Sequence, residues 1–368
     1  MRRPSPFLLH GWLQCWWRAY GAEGELAVHV ARREGRLVGA LPLYVRRRLG
    51  LTVGSFLGGR HSALADVLVA PDEPPGLATE IAETAARSDI DYVDLFGIPT
   101  GSRLERALGS DLQLIERVES PVLELGDDWE AVYQAKTSSK SRNLHRRRRR
   151  QLAELGQLEI EVAREPSTLA PALEEAFRIH ALRWAGRPDG SDFGTPVGRS
   201  FHRAAILALA TLDVPRIVLL KLDGRAIAFH YYFALEGAMY VHRLGFDPEF
   251  ARYSPGLVNT LDTIENAAAE GLARVEFLGG AERYKLELAD RLEPLCQGIG
   301  LARHPLARAV VEARLVHIRL RLRLKRNARL HRLYLDGLAP ARSVVARLRA
   351  LPGRARVSGR AAPRLGAR

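Results

Sequence analysis

Cysteine is nearly absent from this chain: two residues, Cys15 and Cys296, in a length of 368. They form no CxxC pair and no zinc-finger cluster of histidines accompanies them, which excludes a metal site of that type and a disulfide-stapled secreted framework. Long apolar runs are missing too. The longest uncharged stretch, residues 4–17, is interrupted by His10 and Gln14 and falls short of the roughly 18 apolar residues of a membrane-spanning helix. Lysine is scarce, with only Lys136, Lys140, Lys221, Lys285 and Lys325, so arginine is the default cation and an arginine by itself carries little information. What is present, 47% hydrophobic and 26% charged residues, describes a folded protein of more than one domain.

The net charge of +13 invites a nucleic-acid reading until it is located. Residues 301–368 hold 18 basic residues against Glu312 and Asp336, a net of +16, which leaves residues 1–300 at −3. Within that near-neutral body one basic block, Lys136 to Arg150, contains eight cations and no acid. The N-terminus has a basic start but a short, tryptophan-rich apolar stretch without a small-residue cleavage site, unlike a signal peptide. Trp12, Trp16 and Trp17 are expected to form one buried helix face, and a reducing cytoplasm suits the cysteine usage.

Internal repetition organises the body. Gly35-Arg36-Leu37-Val38-Gly39-Ala40 matches Gly224-Arg225-Ala226-Ile227-Ala228-Phe229, each after an acidic residue and each predicting a hairpin. Pro75-Gly76-Leu77 matches Pro255-Gly256-Leu257, each opening apolar residues at helical spacing. Tyr92 to Gly97 matches Arg274 to Gly279, a short alternating strand closed by glycine. The three pieces recur in one order at similar offsets, which predicts two copies of one α/β (α+β) unit, spanning 1–125 and 126–300, with a basic helical tail at 301–368. The turn-rich stretch Gly186–Pro196 reads either as a loop covering a substrate or as a plain connector.

The most informative segment is Arg252-Tyr253-Ser254-Pro255-Gly256-Leu257-Val258. A strand over Met239–Phe246 leads into it, Ser254 is placed to cap a helix, Pro255 suits the first turn, and Gly256 keeps bulk away from the free amides. Such a helix start suits a pyrophosphate, and ordinary capping explains the same residues. The matching helix of the first copy carries Glu80 and Glu83, which would repel an anion. His230 and His242 on neighbouring strands are candidate bases or buried core histidines. The Lys136–Arg150 block reads as a phosphate grip or a solvated helix. Val311, Leu315, Ile318 and Leu322, interleaved with arginines, make a basic amphipathic helix that either docks on a membrane surface or acidic partner through residues 310–335 or packs on the body.

The series Pro6-Phe7, Trp12, Trp16, Leu41-Pro42-Leu43, Lys140-Ser141-Arg142, Asp223-Gly224, Gly245-Phe246-Asp247-Pro248, Ser254-Pro255-Gly256, Glu276 to Gly280 and Tyr284-Lys285 resembles the CelD/BcsL-type acetyltransferases of the GNAT superfamily over about residues 6–290. The resemblance implies a tandem GNAT-like fold related to Fem-type aminoacyltransferases, with a degenerate first copy. It implies acetyl-CoA or another acyl-CoA as co-substrate and no metal, with the donor held by Arg252, Tyr253, Ser254, Gly256, Leu257 and Val258, where Tyr253 and Val258 depart from the family's loop. It points to Lys285 and Tyr284 as contacts of the reacting group, to Asp66 as a residue facing an acceptor in an interdomain cleft, and, with the strand reading above, to His242 as base. The implied activity is acyl transfer to an amine or hydroxyl of a cell-envelope or polysaccharide-related acceptor, as in cellulose or exopolysaccharide biosynthesis, at a cytoplasmic or peripheral-membrane location. A Fem-like transferase using aminoacyl-tRNA and a non-catalytic scaffold of a polysaccharide synthase are the alternatives.

Overall fold

The computed structural model describes residues 5–126, 128–185, 192–280 and 282–326. Its strands, in chain order, are β1 (Glu25–Arg33), β2 (Arg36–Arg48), β3 (Leu51–Phe56), β4 (Leu68–Val69), β5 (Tyr92–Pro99), β6 (Leu112–Val118) and β7 (Pro121–Glu124). They continue with β8 (Leu158–Ala163), β9 (Pro215–Leu222), β10 (Arg225–Leu235), β11 (Ala238–Phe246), β12 (Arg274–Glu276), β13 (Arg291–Leu292) and β14 (Leu295–Gly300). The helices are α1 (His10–Tyr20), α2 (Leu77–Arg87), α3 (Arg103–Leu108), α4 (Trp129–Lys136) and α5 (Ser139–Ala153). After them come α6 (Pro166–Trp184), α7 (Pro196–Ala210), α8 (Pro255–Ala269), α9 (Arg283–Leu288) and α10 (Pro305–Arg326).

Both repeated turns are tight hairpins with left-handed central residues. Glu34 and Gly35 have φ of 52° and 79°, and Asp223 and Gly224 have 49° and 78°, the backbone twist that lets two strands close in register. From each hairpin the chain follows the same route: a second hairpin, a helix, and a strand parallel to the last strand of that second hairpin. The first copy pairs β3 with β5 and the second pairs β11 with β12, both parallel. The result is two seven-stranded mixed sheets, ordered β1-β2-β3-β5-β14-β6, with β4 paired to β2, and β13-β7-β12-β11-β10-β9-β8.

The copies are not separable at the boundaries expected near residues 125 and 300. The strand β7, from the end of the first copy, pairs with β12 and β13 of the second sheet. In return β14, at the end of the second copy, lies between β5 and β6 of the first sheet, from Leu295 opposite Pro99 to Gly300 opposite Val93. Each sheet is completed by a strand from the other's side of the chain.

A second crossing concerns α1. Trp12 is fully buried and meets the rings of Phe7, Phe201, Phe233 and His242 at centroid distances of 4.7 to 5.5 Å, so the N-terminal helix docks on the second sheet through α7. Trp16 is buried as well, while Trp17, one residue and about 100° further round the helix, is only half-buried. The first copy's own core lies between α2 and its sheet, with Leu41, Leu43, Phe56, Ile81 and Leu95. Residues through Val311 form one compact unit, and a second unit begins at Glu312, within α10. The tail expected beyond residue 326 lies outside the described residues, and no described helix is long and apolar enough to cross a membrane.

Replacing Trp12 by alanine removes a fully buried aromatic that ties the two copies together. The expected cost is about 3 to 5 kcal/mol in urea unfolding. A loss below about 1 kcal/mol, within the range of a surface substitution, would show that α1 does not carry the docking.

Candidate functional site

Parallel pairing between β11 and β12 is brief. It joins Ala238 to Arg274, Met239 to Val275 and Tyr240 to Glu276, and then ends, although β11 runs on to Phe246. On its other side β11 pairs with β10, but the register slips between Tyr231 and Tyr232, so Tyr232 faces Val241, Tyr231 faces Arg243, and His242 is the extra residue of a bulge. Among the described residues, the backbone around His242 therefore lacks a strand partner on the β12 side and is displaced from the ladder on the β10 side. Unpaired main-chain groups in a cleft between two diverging strands are an unusual provision, because backbone polar groups inside a sheet are otherwise satisfied.

The first copy has the same beginning and a different end. Pairing of β3 with β5 covers only Val53 with Tyr92 and Gly54 with Val93, and the chain after β3 then folds back against β5. The N–H of Ala65 donates to the Gly97 carbonyl at 2.9 Å, and Ser62 O lies so near that a Cβ at Gly97 would come within 2.8 Å of it. The first copy's gap is closed by its own loop, whereas the second copy's is not.

At the end of β11, Asp247 is buried and accepts from the Glu249 N–H at 3.1 Å and from Arg225 at 2.6 Å. This pins the 3-10 turn Pro248–Tyr253 to the sheet and aims the start of α8. Ser254 occupies the cap position with φ +55°, a left-handed conformation that costs a non-glycine residue about 1 to 3 kcal/mol. Its side chain makes no capping bond, so the expected serine cap is a backbone bend instead, in which the Ser254 carbonyl accepts from the Leu257 and Val258 N–H groups at 3.0 and 3.2 Å. A Cβ at Gly256 would come 3.0 Å from the Phe246 ring, so a larger residue there would have to shift that ring for the helix to begin so close to β11. Arg252 stacks on the Tyr253 ring at 4.5 Å, and Val258 is buried under the helix.

The basic block forms α5, capped by Ser138, and lies beside this helix start. Arg148 donates to the Arg252 carbonyl and Arg149 pairs with Asp262 of α8, while Arg146, Arg147 and Arg150 are exposed. Between α4, α5 and α8 is a pocket of about 170 Å³ whose walls include Trp129, Tyr133, Arg146, Arg148 and Val258. Trp129 and Tyr133 are 5.4 Å apart at 32°, and the Tyr133 hydroxyl meets His145 Nδ1 at 2.7 Å.

Lys285 and Tyr284 stand across the cleft. Lys285 is buried, donating to the Gly279 carbonyl at 2.7 Å and pairing with Glu282 at 2.8 Å, which holds the strand end past β12 in place. Tyr284 bonds to Thr260, whose hydroxyl donates to Gly256 O at 2.8 Å, so the tyrosine is linked to the first turn of α8. Burial, aided by Glu282, pushes its phenol well above the ordinary value, which keeps it protonated at neutral pH. His230 is fully buried, neither ring nitrogen has a partner among the described residues, and burial with the nearby Lys285 charge pushes it down to about 3.

Two expected site residues take other roles. Asp66 accepts from the backbone N–H groups of Val67, Arg103 and Leu104, each at 2.9 Å, so its carboxylate anchors the start of α3 while lining a cavity between the two copies. His242 has its ring packed among Phe7, Trp12, Phe233 and Tyr231. Burial, with Arg243 adding to it, pushes His242 well below the ordinary histidine value, and a base at neutral pH needs the opposite.

One network escapes sequence reasoning because it joins three distant segments. The Trp16 indole donates to His61 Nδ1 at 2.9 Å and His61 Nε2 meets Asp192 at 2.9 Å. An indole N–H can only donate, so neutral His61 must carry its proton on Nε2 and give it to the carboxylate. Tyr20 donates to the same carboxylate oxygen. Burial opposes ionisation of Asp192, but the bonds from His61 and Tyr20 outweigh it and hold the carboxyl at about 2. These contacts fasten the start of the turn before α7 to the first copy. Residues 186–191 of the preceding loop, and with them the expectation of a substrate cover, lie outside the described residues. No group of metal ligands occurs among the described residues.

Residues 139–286 match a family model described as "Acetyltransferase (GNAT) domain", a span that runs from α5 to α9. No curated protein matches the chain. Among solved structures, FemX shares the fold at a TM-score of 0.55 with 10% identity over 79% of this chain and 91% of FemX. The C-terminal domain of a protein from Agrobacterium fabrum described as a lysylphosphatidylglycerol synthetase gives 0.53 with 13% identity, over 86% of this chain and 93% of that domain. L-PGS from Bacillus licheniformis gives 0.50 with 12% identity, over 82% and 95%. At such identities these likenesses are of fold.

The His230 environment makes a direct prediction. Between about pH 6.5 and 3 the unfolded chain binds a proton at this residue that the native state refuses, so stability falls with falling pH by about 1.4 kcal/mol per unit from this group alone. His230→Gln should flatten that slope by the same amount and leave stability unchanged in its pH dependence above pH 6.5. An unaltered acid slope would mean that His230 charges in the folded protein. The span 139–286 is similar to GNAT acetyltransferase domains, and the chain that carries it is an acyltransferase.

Proposed function

We propose that the second copy transfers an acyl group, acetyl in the simplest case, from acyl-CoA to an amine or hydroxyl of a cell-envelope or polysaccharide-related acceptor, as the CelD/BcsL resemblance implies. The observation that carries the reading is the parting of β11 and β12 after Tyr240 and Glu276, with the bulge at His242 and the open start of α8 at its mouth. A thioester lying in that gap would present its carbonyl to unpaired backbone groups of β11, an arrangement that stabilises the oxyanion formed on attack. The pyrophosphate would rest on the first turn of α8 at Ser254, Gly256, Leu257 and Val258, with Arg252 and Tyr253 flanking it. The exposed arginines of α5 and the aromatic pocket beside α8 suit the phosphate and base of the donor's adenosine end.

Direct attack accounts for the chemistry. The acceptor nitrogen or oxygen bonds to the thioester carbon, the tetrahedral intermediate expels the CoA thiolate, and the proton lost by the acceptor ends on sulfur. Tyr284, kept protonated by burial, supplies a proton donor on the α8 side, and Lys285 fixes the Gly279 wall of the gap and adds positive charge there. The neutral body and the closed first copy support one donor site per chain.

The FemX likeness and the exposed face of α5 favour a second reading, an aminoacyl-tRNA donor. The two separate cleanly. Acetyl-CoA should raise the thermal midpoint of the full chain, by an amount that grows with the logarithm of its concentration. Gly256→Val should abolish that shift while the unliganded chain still melts cooperatively. Absence of a shift with any CoA ester, together with tRNA binding that weakens steeply as salt rises, would transfer the assignment to the aminoacyl-tRNA reading.

A further inference from the structure

A large cavity, about 980 Å³, lies away from the start of α8. It opens between the two copies, bounded by the segments before α2 and around α3 on one side and by β12 and β13 on the other. Its second-copy wall contains Arg274 and Glu276, the last paired residues of β12, so the cavity reaches the point where β11 and β12 part.

Charges of both signs line it, and the acids are already committed. Glu276 pairs with Arg274 at 3.3 Å and Glu293 with Arg291 at 2.5 Å. Glu73 is held by Arg33 at 2.9 Å, and Asp66 by three backbone N–H groups. Two cations on the opposite wall have no such match. Among the described residues, Arg103 donates to the Val69 carbonyl at 3.4 Å and Arg106 to the Gly101 carbonyl at 2.5 Å. Neither forms an ion pair there, and Asp66 offsets Arg103 only through space. Each guanidinium carries five N–H donors in a planar fork, so most of this capacity is open to whatever enters. The two side chains sit three residues apart on α3 and therefore project from one face of it.

We infer that this cavity is the acceptor site, and that the acceptor is an anion whose phosphoryl or carboxylate group is gripped by Arg103 and Arg106. Arginine forks match both groups in a two-bond geometry that a neutral sugar hydroxyl cannot reproduce. The inference rests on the acyltransferase reading for its name, since the cavity meets the proposed donor gap at Glu276, but the binding it predicts is measurable without any donor.

The test is calorimetric titration of the full chain, with and without saturating acetyl-CoA, using inorganic pyrophosphate, glucuronate and glucose as probes. Pyrophosphate or glucuronate should bind in both conditions and glucose should not; the tighter anion tells a phosphoryl acceptor from a uronate. The double variant Arg103→Gln, Arg106→Gln should bind that anion at least tenfold more weakly and keep the thermal shift given by acetyl-CoA. Arg106→Gln alone, on an exposed side chain, should weaken it several-fold and serves if the double variant fails to fold. Equal anion affinity in wild type and variants, or no anion binding by wild type, overturns the inference. Loss of the acetyl-CoA shift in wild type with arginine-dependent anion binding intact would instead remove the donor reading and leave this site standing.

Discussion

The acyl-donor site of this molecule depends on a shortage of hydrogen bonds in the middle of a sheet. Two parallel strands, β11 and β12, share three residue pairs and separate, and a bulge on the opposite edge of β11 displaces the same stretch from its other neighbour. Left empty, such backbone groups would cost on the order of 1 to 3 kcal/mol each where they are dry. The surrounding residues keep the gap open: Lys285 pins the Gly279 end to one side, and Asp247 pins the end of β11 to the other. The left-handed Ser254 is a local cost of the same kind, accepted where the chain must turn into α8 close to Phe246.

Duplication explains why the gap exists once and not twice. Both copies share hairpin, helix and parallel strand, and in both the parallel pairing is short. In the first copy Ser62 to Ala65 closes the opening against β5, and that copy has become a wall for the second. The exchange of β7 and β14 makes this division permanent, because neither sheet is complete without a strand from the other side of the chain. Trp12 and the His61 to Asp192 contact reinforce it from α1 and from the turn before α7.

Local rules made much of this legible in the sequence. An acidic residue followed by glycine marks a hairpin, proline and glycine before a helical pattern mark its start, and a short alternating run closed by glycine marks a strand, so the repeat and its order could be read directly. The same rules pointed to Ser254 and Gly256, whereas Lys285 and Tyr284 were singled out only by the family resemblance. Pairing across distance was not legible. Cys296 opposite Ile98 and His61 against Asp192 join residues whose own neighbours give no hint of a partner, and a strand's alternation is the same whichever sheet it enters. The surroundings of Asp66 and His242 were hidden for a related reason: a carboxylate or imidazole in a strand-like context looks the same whether it faces a ligand, three amides or a ring cluster.

The central claim, that the open gap of the second copy receives the thioester, is tested most directly by a crystal structure of the full chain with a non-hydrolysable acetyl-CoA analogue. The account predicts the analogue's carbonyl against the β11 backbone beside His242, its chain between β11 and the Phe277 to Gly280 segment, and its pyrophosphate on the first turn of α8. An analogue bound elsewhere, with the β11 to β12 gap empty or filled by side chains, would contradict it.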